Sequence, residues 1–266
     1  MRSRFLTLLV AIVLCLAALP FLLKDGTAAA QTSEPTVGEA TSTDHVALPA
    51  DESATVDEPS PARQRGIDLA AAETAGVSMP VLNLALGAVQ CAVASGDIAV
   101  PPTLTLIDYS LPSTQPRLWV FDMRTGDILF HELVAHGKGT GENLAEHFSD
   151  EMNSHQSSVG LFVTRGTYVG QNGYSLRLDG LERGFNSRAM ERAVVMHGAP
   201  YVNADFAAKQ GRLGRSWGCP ALREAIAHQV IDTVRGGGVI FSYYPDQKWL
   251  TTSRFLNCPG RAVATH

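Results

Sequence analysis

After Pro101-Pro102 the chain breaks into short apolar runs separated by turn-forming residues, and this rhythm narrows the possible folds more than any other feature. The runs are Leu104 to Tyr109, Leu118 to Phe121, Ile128 to Val134, Val159 to Thr164, Val194 to His197 and Val239 to Tyr243. Each has strand length and is rich in β-branched or aromatic residues. Helical spacing marks two other stretches. Within Leu69 to Val93, the residues Val81, Leu82, Ala85, Leu86 and Val89 form an apolar stripe that suits a core-packing helix pair. Leu222, Ile226, Val230 and Val234 recur in the same way until Gly236, Gly237 and Gly238 end the run. The pattern predicts an α+β, strand-dominated domain with mixed β-sheets, a small N-terminal helical segment and one later helix packed on the sheet. The 24 glycines and 14 prolines suit such a turn-rich chain, and no internal repeat stands out.

The N-terminal part reads differently. Arg2 and Arg4 precede Phe5 to Leu23, a nearly unbroken apolar stretch, and Ala28-Ala-Ala30 offers an A-x-A cleavage site before Gln31. Residues 1–30 therefore read as an export signal, with an uncleaved membrane anchor as the alternative because Phe5 to Leu23 is long enough to span a bilayer. Cys15 follows Leu14, where a lipoprotein cysteine expects a small residue. Residues 31–66 are rich in Thr, Ser, Glu, Asp, Ala and Pro without apolar periodicity, as in a disordered acidic linker. The expected order is then a helical segment over 67–100, a catalytic domain over 101–250 and a tail over 251–266, in an exported protein of the periplasm or cell envelope. Loss of Arg2, Arg4, Lys24 and Asp25 with the signal would take the net charge from −5 to −7, which disfavours nucleic-acid binding.

Chemistry concentrates at Gly214-Arg-Ser-Trp-Gly-Cys-Pro-Ala-Leu222. With Pro220 suited to a first helical position and the periodic run beginning at Leu222, Cys219 is expected to cap a helix N-terminus. Unpaired amides and the helix dipole there would lower the thiol pKa and favour a nucleophilic thiolate. The opposing consideration is that cysteine is often buried and inert. Gly214, Ser216 and Gly218 tip the balance, because a backbone that turns sharply can present N–H groups to a ligand. Pro220 has no N–H, so an oxyanion hole would draw on the amides of Cys219, Gly218 or Trp217.

His197 closes the run Ala193 to Met196, which reads as a buried strand stopped by Gly198, and strand ends are where scaffolds place catalytic groups. It lies 22 residues before Cys219, enough chain for a loop to return to the same edge. His131-Glu-Leu-Val-Ala-His136 is a near miss to the zinc pattern H-E-x-x-H with one residue too many, in a segment that looks like strand. No metal or organic cofactor is called for. His147 and His155 fall in a polar loop, His228 on the surface of the later helix, and His45 and His266 near the ends. Gly137-Lys-Gly-Thr-Gly141 lacks phosphate-loop spacing.

From about Leu104 to Tyr244 the chain resembles the murein L,D-transpeptidase (YkuD-like) catalytic domain, in the branch whose nucleophile motif reads Ser-Trp-Gly-Cys-Pro. The pieces that carry the resemblance, in order, are Ile107-Asp-Tyr-Ser110, Arg117-Leu-Trp-Val-Phe-Asp122, Val134-Ala-His-Gly-Lys-Gly139, Phe148-Ser149, Ser157-Ser-Val-Gly160, Tyr168 with Gly170, Ser175-Leu-Arg-Leu178, Val194-Val-Met-His-Gly198 and Gly214-Arg-Ser-Trp-Gly-Cys-Pro220. What it implies is acyl transfer on peptidoglycan stem peptides. Cys219 would be the nucleophile, His197 its base, the Gly198 carbonyl the group that orients the imidazole, and Gly218 and Trp217 amides the oxyanion donors. Arg215, Ser216 and Tyr168 would contact substrate.

The commoner family form has Ser-His-Gly-Cys, so Trp217 stands where a second histidine is expected, and Ala221 where a polar or basic residue is expected. Trp217 is either a packing residue or a wall against the sugar or stem. Arg177, Arg188, Arg192, Arg212 and Arg215 lie in segments around the site and could bind stem carboxylates, but arginine is common throughout the chain and only Arg215 stands out by position. With Cys15 removed and Cys219 free, Cys91 and Cys258 are left as a possible disulfide or two unpaired thiols. Three functions remain in view: a transpeptidase, a carboxypeptidase using water as acceptor, and a non-catalytic wall-binding module. A papain-like protease is disfavoured, since its nucleophile precedes its histidine.

Overall fold

The computed structural model describes residues 66–258. The export signal, most of the linker, Cys15, His45 and His266 lie outside them. Asp68 opens the first helix, α1 (Leu69–Thr74), by accepting a hydrogen bond from the Ala71 amide at 3.0 Å. Ser78 and Pro80 open α2 (Met79–Ala94), whose buried face carries Val81, Leu82, Ala85 and Val89. The stripe read from the sequence is the face that packs.

Nine strands follow: β1 (Thr103–Asp108), β2 (Leu118–Asp122), β3 (Ile128–Glu132), β4 (Val134–Ala135), β5 (Gly160–Gly170), β6 (Gly173–Gly180), β7 (Val195–Ala199), β8 (Ala221–Arg223) and β9 (Val239–Tyr243). Helix α3 (Ala204–Gln210) lies between β7 and β8, α4 (Glu224–Val234) between β8 and β9, and α5 (Gln247–Thr252) follows β9. The strands form one mixed sheet in the order β3-β2-β1-β9-β5-β6-β7-β8-β4. The β1–β9 and β7–β8 pairs are parallel and the other pairs antiparallel.

The central strands read as continuous apolar runs because both faces of the sheet are covered. Leu104, Leu106, Trp119, Phe121, Leu161 and Phe241 pack with α2 and Trp249 of α5 in one core. Ile107, Leu118, Val120, Phe162 and Ile240 pack with Ala227, Val230, Ile231 and Val234 of α4 in another. Cys91 of α2 is bonded to Cys258, tying the first core to the end of the described chain.

Several boundaries differ from the sequence reading. The run Ile128 to Val134 is not one strand. It divides at Leu133, so that β3 pairs with β2 at one sheet edge and β4 with β8 at the other. β5 continues past Thr164 to Gly170 through an irregularity between Thr164 and Thr167. β6 was not among the expected strands, since its exposed Arg177 and half-buried Asp179 interrupt the apolar pattern. Gly198 does not stop β7 but lies within it, where a Cβ would come to 3.0 Å from that of Ala227, so its lack of a side chain lets α4 pack closely.

Cys219 does not cap a helix. Ala221 and Leu222 are buried between β7 and β4, with His197 opposite Ala221 and Gly198 opposite Leu222. Two flanking strands hold these residues extended, and α4 starts only at Glu224 with Arg223 as its N-cap. The helix dipole acts within about the first turn, so Cys219 lies beyond its reach.

Candidate active site

Strands β7 and β8 bring His197 and Cys219 to one edge region. Their parallel register sets His197 against Ala221, two residues beyond Cys219. The Val195 amide donates to Cys219 Sγ at 3.4 Å, and Sγ lies 3.8 Å from the Ala193 carbonyl. Ala193 has φ of 53°, a left-handed conformation unusual for a residue with a Cβ, beside the thiol that its carbonyl meets. No hydrogen bond joins Sγ to His197 among the described residues. Burial pushes the Cys219 thiol up, opposed by the Val195 N–H and by the charge of Arg192. The resting group is therefore a neutral thiol, and not the depressed thiolate expected from a helix N-terminus.

His197 is also buried, and that burial holds its pKa below the ordinary histidine value, while the Gly198 carbonyl acts in the opposite direction. Nδ1 lies 2.8 Å from Gly198 O. A carbonyl can only accept, so the proton sits on Nδ1 and the neutral ring keeps its lone pair on Nε2. This is the tautomer a general base requires.

The loop before the nucleophile is braced from within. Ser216 Oγ accepts from the Gly218 amide at 3.1 Å and donates to the Cys219 carbonyl at 2.7 Å. Ser216 is buried and spends its hydroxyl inside the loop, contrary to a substrate-contact role, and the Gly218 N–H is occupied in this conformation. Ser157 Oγ donates to Gly218 O at 3.1 Å and accepts from the Gly137 amide at 3.0 Å. Ser216 N donates to His136 O and Lys138 N to Ser216 O, which fixes the 136–138 segment alongside.

Arg192 braces the other side. Its guanidinium donates to Ser149 O at 2.7 Å, Ser158 Oγ at 2.6 Å, Ser154 Oγ at 3.2 Å and Gln156 O at 2.6 Å. The 149–158 loop is thereby pressed against Gly218, where a Cβ would meet Gln156 O at 2.8 Å. Gly218 has φ of 119°, so both its conformation and its surroundings exclude a side chain.

Other expected contacts are distributed as follows. The Trp217 side chain is 72% exposed and stacks on His155 with ring centroids 4.9 Å apart, so it is not a core-packing residue. Tyr168 lies opposite Ser175, and Ser175 opposite His197, which puts Tyr168 in the same cross-strand row, two strands from the imidazole. Its ring carries the Arg177 guanidinium at 4.3 Å. Arg188 pairs with Glu151 and Glu191, while Arg212 and Arg215 both pair with Glu142.

The two histidines of the zinc near miss have separate environments: His131 is exposed and stacked on Trp119, and His136 is buried. His136 Nδ1 accepts from Arg117 Nη2 at 2.8 Å. Arg117 is itself fully buried, with Val134 O and Leu111 O as further acceptors and the Tyr109 ring 5.0 Å away. Sequence reasoning gave no role to Arg117, His136 or Ser157, and named Arg192 only among arginines that could meet stem carboxylates, whereas its guanidinium is spent on the 149–158 loop. The available cue was a charged residue, Arg117 or Arg192, set directly before an apolar strand run.

The site thus combines a buried cysteine on a braced, glycine-turned loop with a histidine whose Nδ1 is held by a backbone carbonyl. Comparison with protein families gives the L,D-transpeptidase catalytic domain over residues 73–243, and the chain belongs to this family. A comparison with curated protein sequences finds no match. Among solved structures, an L,D-transpeptidase from Mycobacterium smegmatis is similar at 15% identity with a TM-score of 0.35, over 54% of this chain and 59% of that one. An L,D-transpeptidase from Stackebrandtia nassauensis is similar at 16% identity and a TM-score of 0.32, over 60% and 66%. One from Mycobacterium tuberculosis H37Rv is similar at 15% identity and a TM-score of 0.31, over 54% and 58%. The chain thus spans less than two thirds of the length of each of these structures.

Proposed function

We propose that the protein is an exported, cysteine-dependent murein L,D-transpeptidase that forms 3→3 cross-links between peptidoglycan stems. His197 Nε2 takes the Cys219 proton as Sγ turns away from the Ala193 carbonyl and attacks the diaminopimelate–D-alanine amide. The S–C bond forms, the C–N bond breaks, and the imidazolium returns its proton to the departing D-alanine amine. An amine of a second stem then attacks the thioester, gives its proton to Nε2 and releases the thiolate, which takes that proton from the imidazolium and returns to the neutral thiol. In this reading the Cys219 and Trp217 amides meet the oxyanion, since Gly218 N–H is engaged by Ser216.

The observation that carries the proposal is the His197 Nδ1 to Gly198 O hydrogen bond, which leaves a base nitrogen free next to the strand entered from Cys219. Export to the envelope follows from the substrate and from the N-terminal apolar segment. No helix among the described residues is long and apolar enough to cross a membrane. The test is incubation with a disaccharide tetrapeptide and mass analysis of the products. Cross-linked dimer with free D-alanine supports transpeptidation. Tripeptide alone makes the protein an L,D-carboxypeptidase, and unchanged substrate with folded protein leaves the wall-binding reading.

A further inference from the structure

We propose that Arg212 and Arg215 form a carboxylate-binding subsite beside the nucleophile loop, capped in the free protein by Glu142, whose place a free carboxylate of the stem peptide takes on binding. This rests on the function proposed above and specifies how its substrate is held. Among the described residues, Glu142 is the one carboxylate paired with both arginines: Oε2 lies 2.8 Å from Arg212 Nε and Oε1 lies 2.6 Å from Arg215 Nη1. The trio carries one excess positive charge. Its two cations are largely covered, with 26% and 21% of their side chains exposed, whereas the carboxylate between them is 71% exposed.

The arginines are positioned by more than Glu142. Arg212 Nη1 donates to Leu213 O at 2.9 Å and Arg215 Nη1 to Gly141 O at 3.0 Å. The backbone of Ser216, the next residue, is bonded on both sides to the 136–138 segment. A ligand carboxylate would therefore meet two guanidiniums already ordered for charge-assisted contact. An exposed ion pair contributes little to stability, so displacing Glu142 costs little. An open groove lined by Lys138, Gly139, Leu144, Glu146 and His147 runs beside Arg215. Gly137, the residue before Lys138, packs so closely on Gly218 that a Cβ would come within 2.9 Å of the Gly218 amide.

The test is calorimetric binding of a tetrapeptide stem to the full chain carrying Cys219→Ala, with and without Glu142→Gln, alongside turnover by the unsubstituted protein. Glu142→Gln, verified as folded by its melting temperature, is expected to tighten binding about fivefold. The gain should vanish with a stem whose carboxylates are amidated. Arg212→Gln should weaken binding of the free-carboxylate stem about tenfold and leave the amidated stem unaffected, and this arm decides the matter if Glu142→Gln does not fold. Unchanged affinity in both variants, with turnover present, overturns the subsite and makes Glu142 a clamp on its loop, while the proposed function stands. Absence of both binding and turnover overturns the two together.

Discussion

The buried Arg117–His136 contact makes stability depend on pH with a sign and size that follow from the structure. Arg117 holds a proton on every nitrogen and so can only donate to His136 Nδ1, while His136 Nε2 faces Gly141 O at 3.3 Å. Protonating Nδ1 would set two N–H groups against each other beside a positive charge in the interior. Burial first, and the Arg117 charge second, push His136 down to about 4 from 6.5. Between these values the unfolded chain binds a proton that the folded chain does not. The contribution is therefore present above pH 6.5 and is lost as pH falls toward 4. From pH 7 to 4.5 this one group removes about 2.5 kcal/mol, at about 1.4 kcal/mol per pH unit.

Denaturant unfolding followed by tryptophan emission measures this, since Trp119 and Trp249 are buried and report loss of the core. Other groups also titrate. His197 contributes with the same sign, while Asp108 and Glu182, both raised by burial, contribute with the opposite one. The informative quantity is therefore the difference from His136→Asn, which retains an acceptor for Arg117 but does not titrate. The variant should lose about 2.5 kcal/mol less between pH 7 and 4.5. Equal pH dependence of the two proteins would refute the reasoning.

Three further outcomes are expected. Alkylation of residues 66–266 without reductant should add one label, on Cys219, and removing the Cys91–Cys258 bond, which spans 167 residues, should cost up to about 5 kcal/mol in denaturant unfolding; labels on all three cysteines would contradict the first part. Gly137→Ala places a Cβ 2.3 Å from His155 O and 2.9 Å from Gly218 N, so turnover should fall on the order of 100-fold through displacement of the nucleophile loop. Gly166→Ala, which meets nothing within 4 Å, serves as its control, and equal turnover in the two variants would show that the 137–218 contact does not matter.

The sheet was legible where both faces are covered, because burial on two sides writes an uninterrupted apolar run into β1, β2, β7 and β9. It was illegible where the pattern is half polar, as in β6, or only three residues long, as in β8. The error over Cys219 has a physical cause. Ala221 and Leu222 satisfy a helical spacing, but β7 and β4 compete for their backbone groups and win. Cys219 and His197 stood out because a glycine-rich motif and an apolar run marked them, while the Gly198 carbonyl was suggested by the family resemblance alone. The roles of Ser216, Arg192 and Glu142 depend on distances of 2.6 to 3.2 Å between segments far apart in the chain or within a tight turn, and spacing alone does not encode those.

The central claim is that Cys219 becomes acylated with His197 as its base, and peptide mapping by mass spectrometry after brief incubation with tetrapeptide tests it directly. The expected result is a stem-tripeptide acyl group on Cys219, absent from Cys219→Ala and strongly reduced in His197→Ala. Acylation that survives at full rate without His197, or an adduct on a residue other than Cys219, would contradict it.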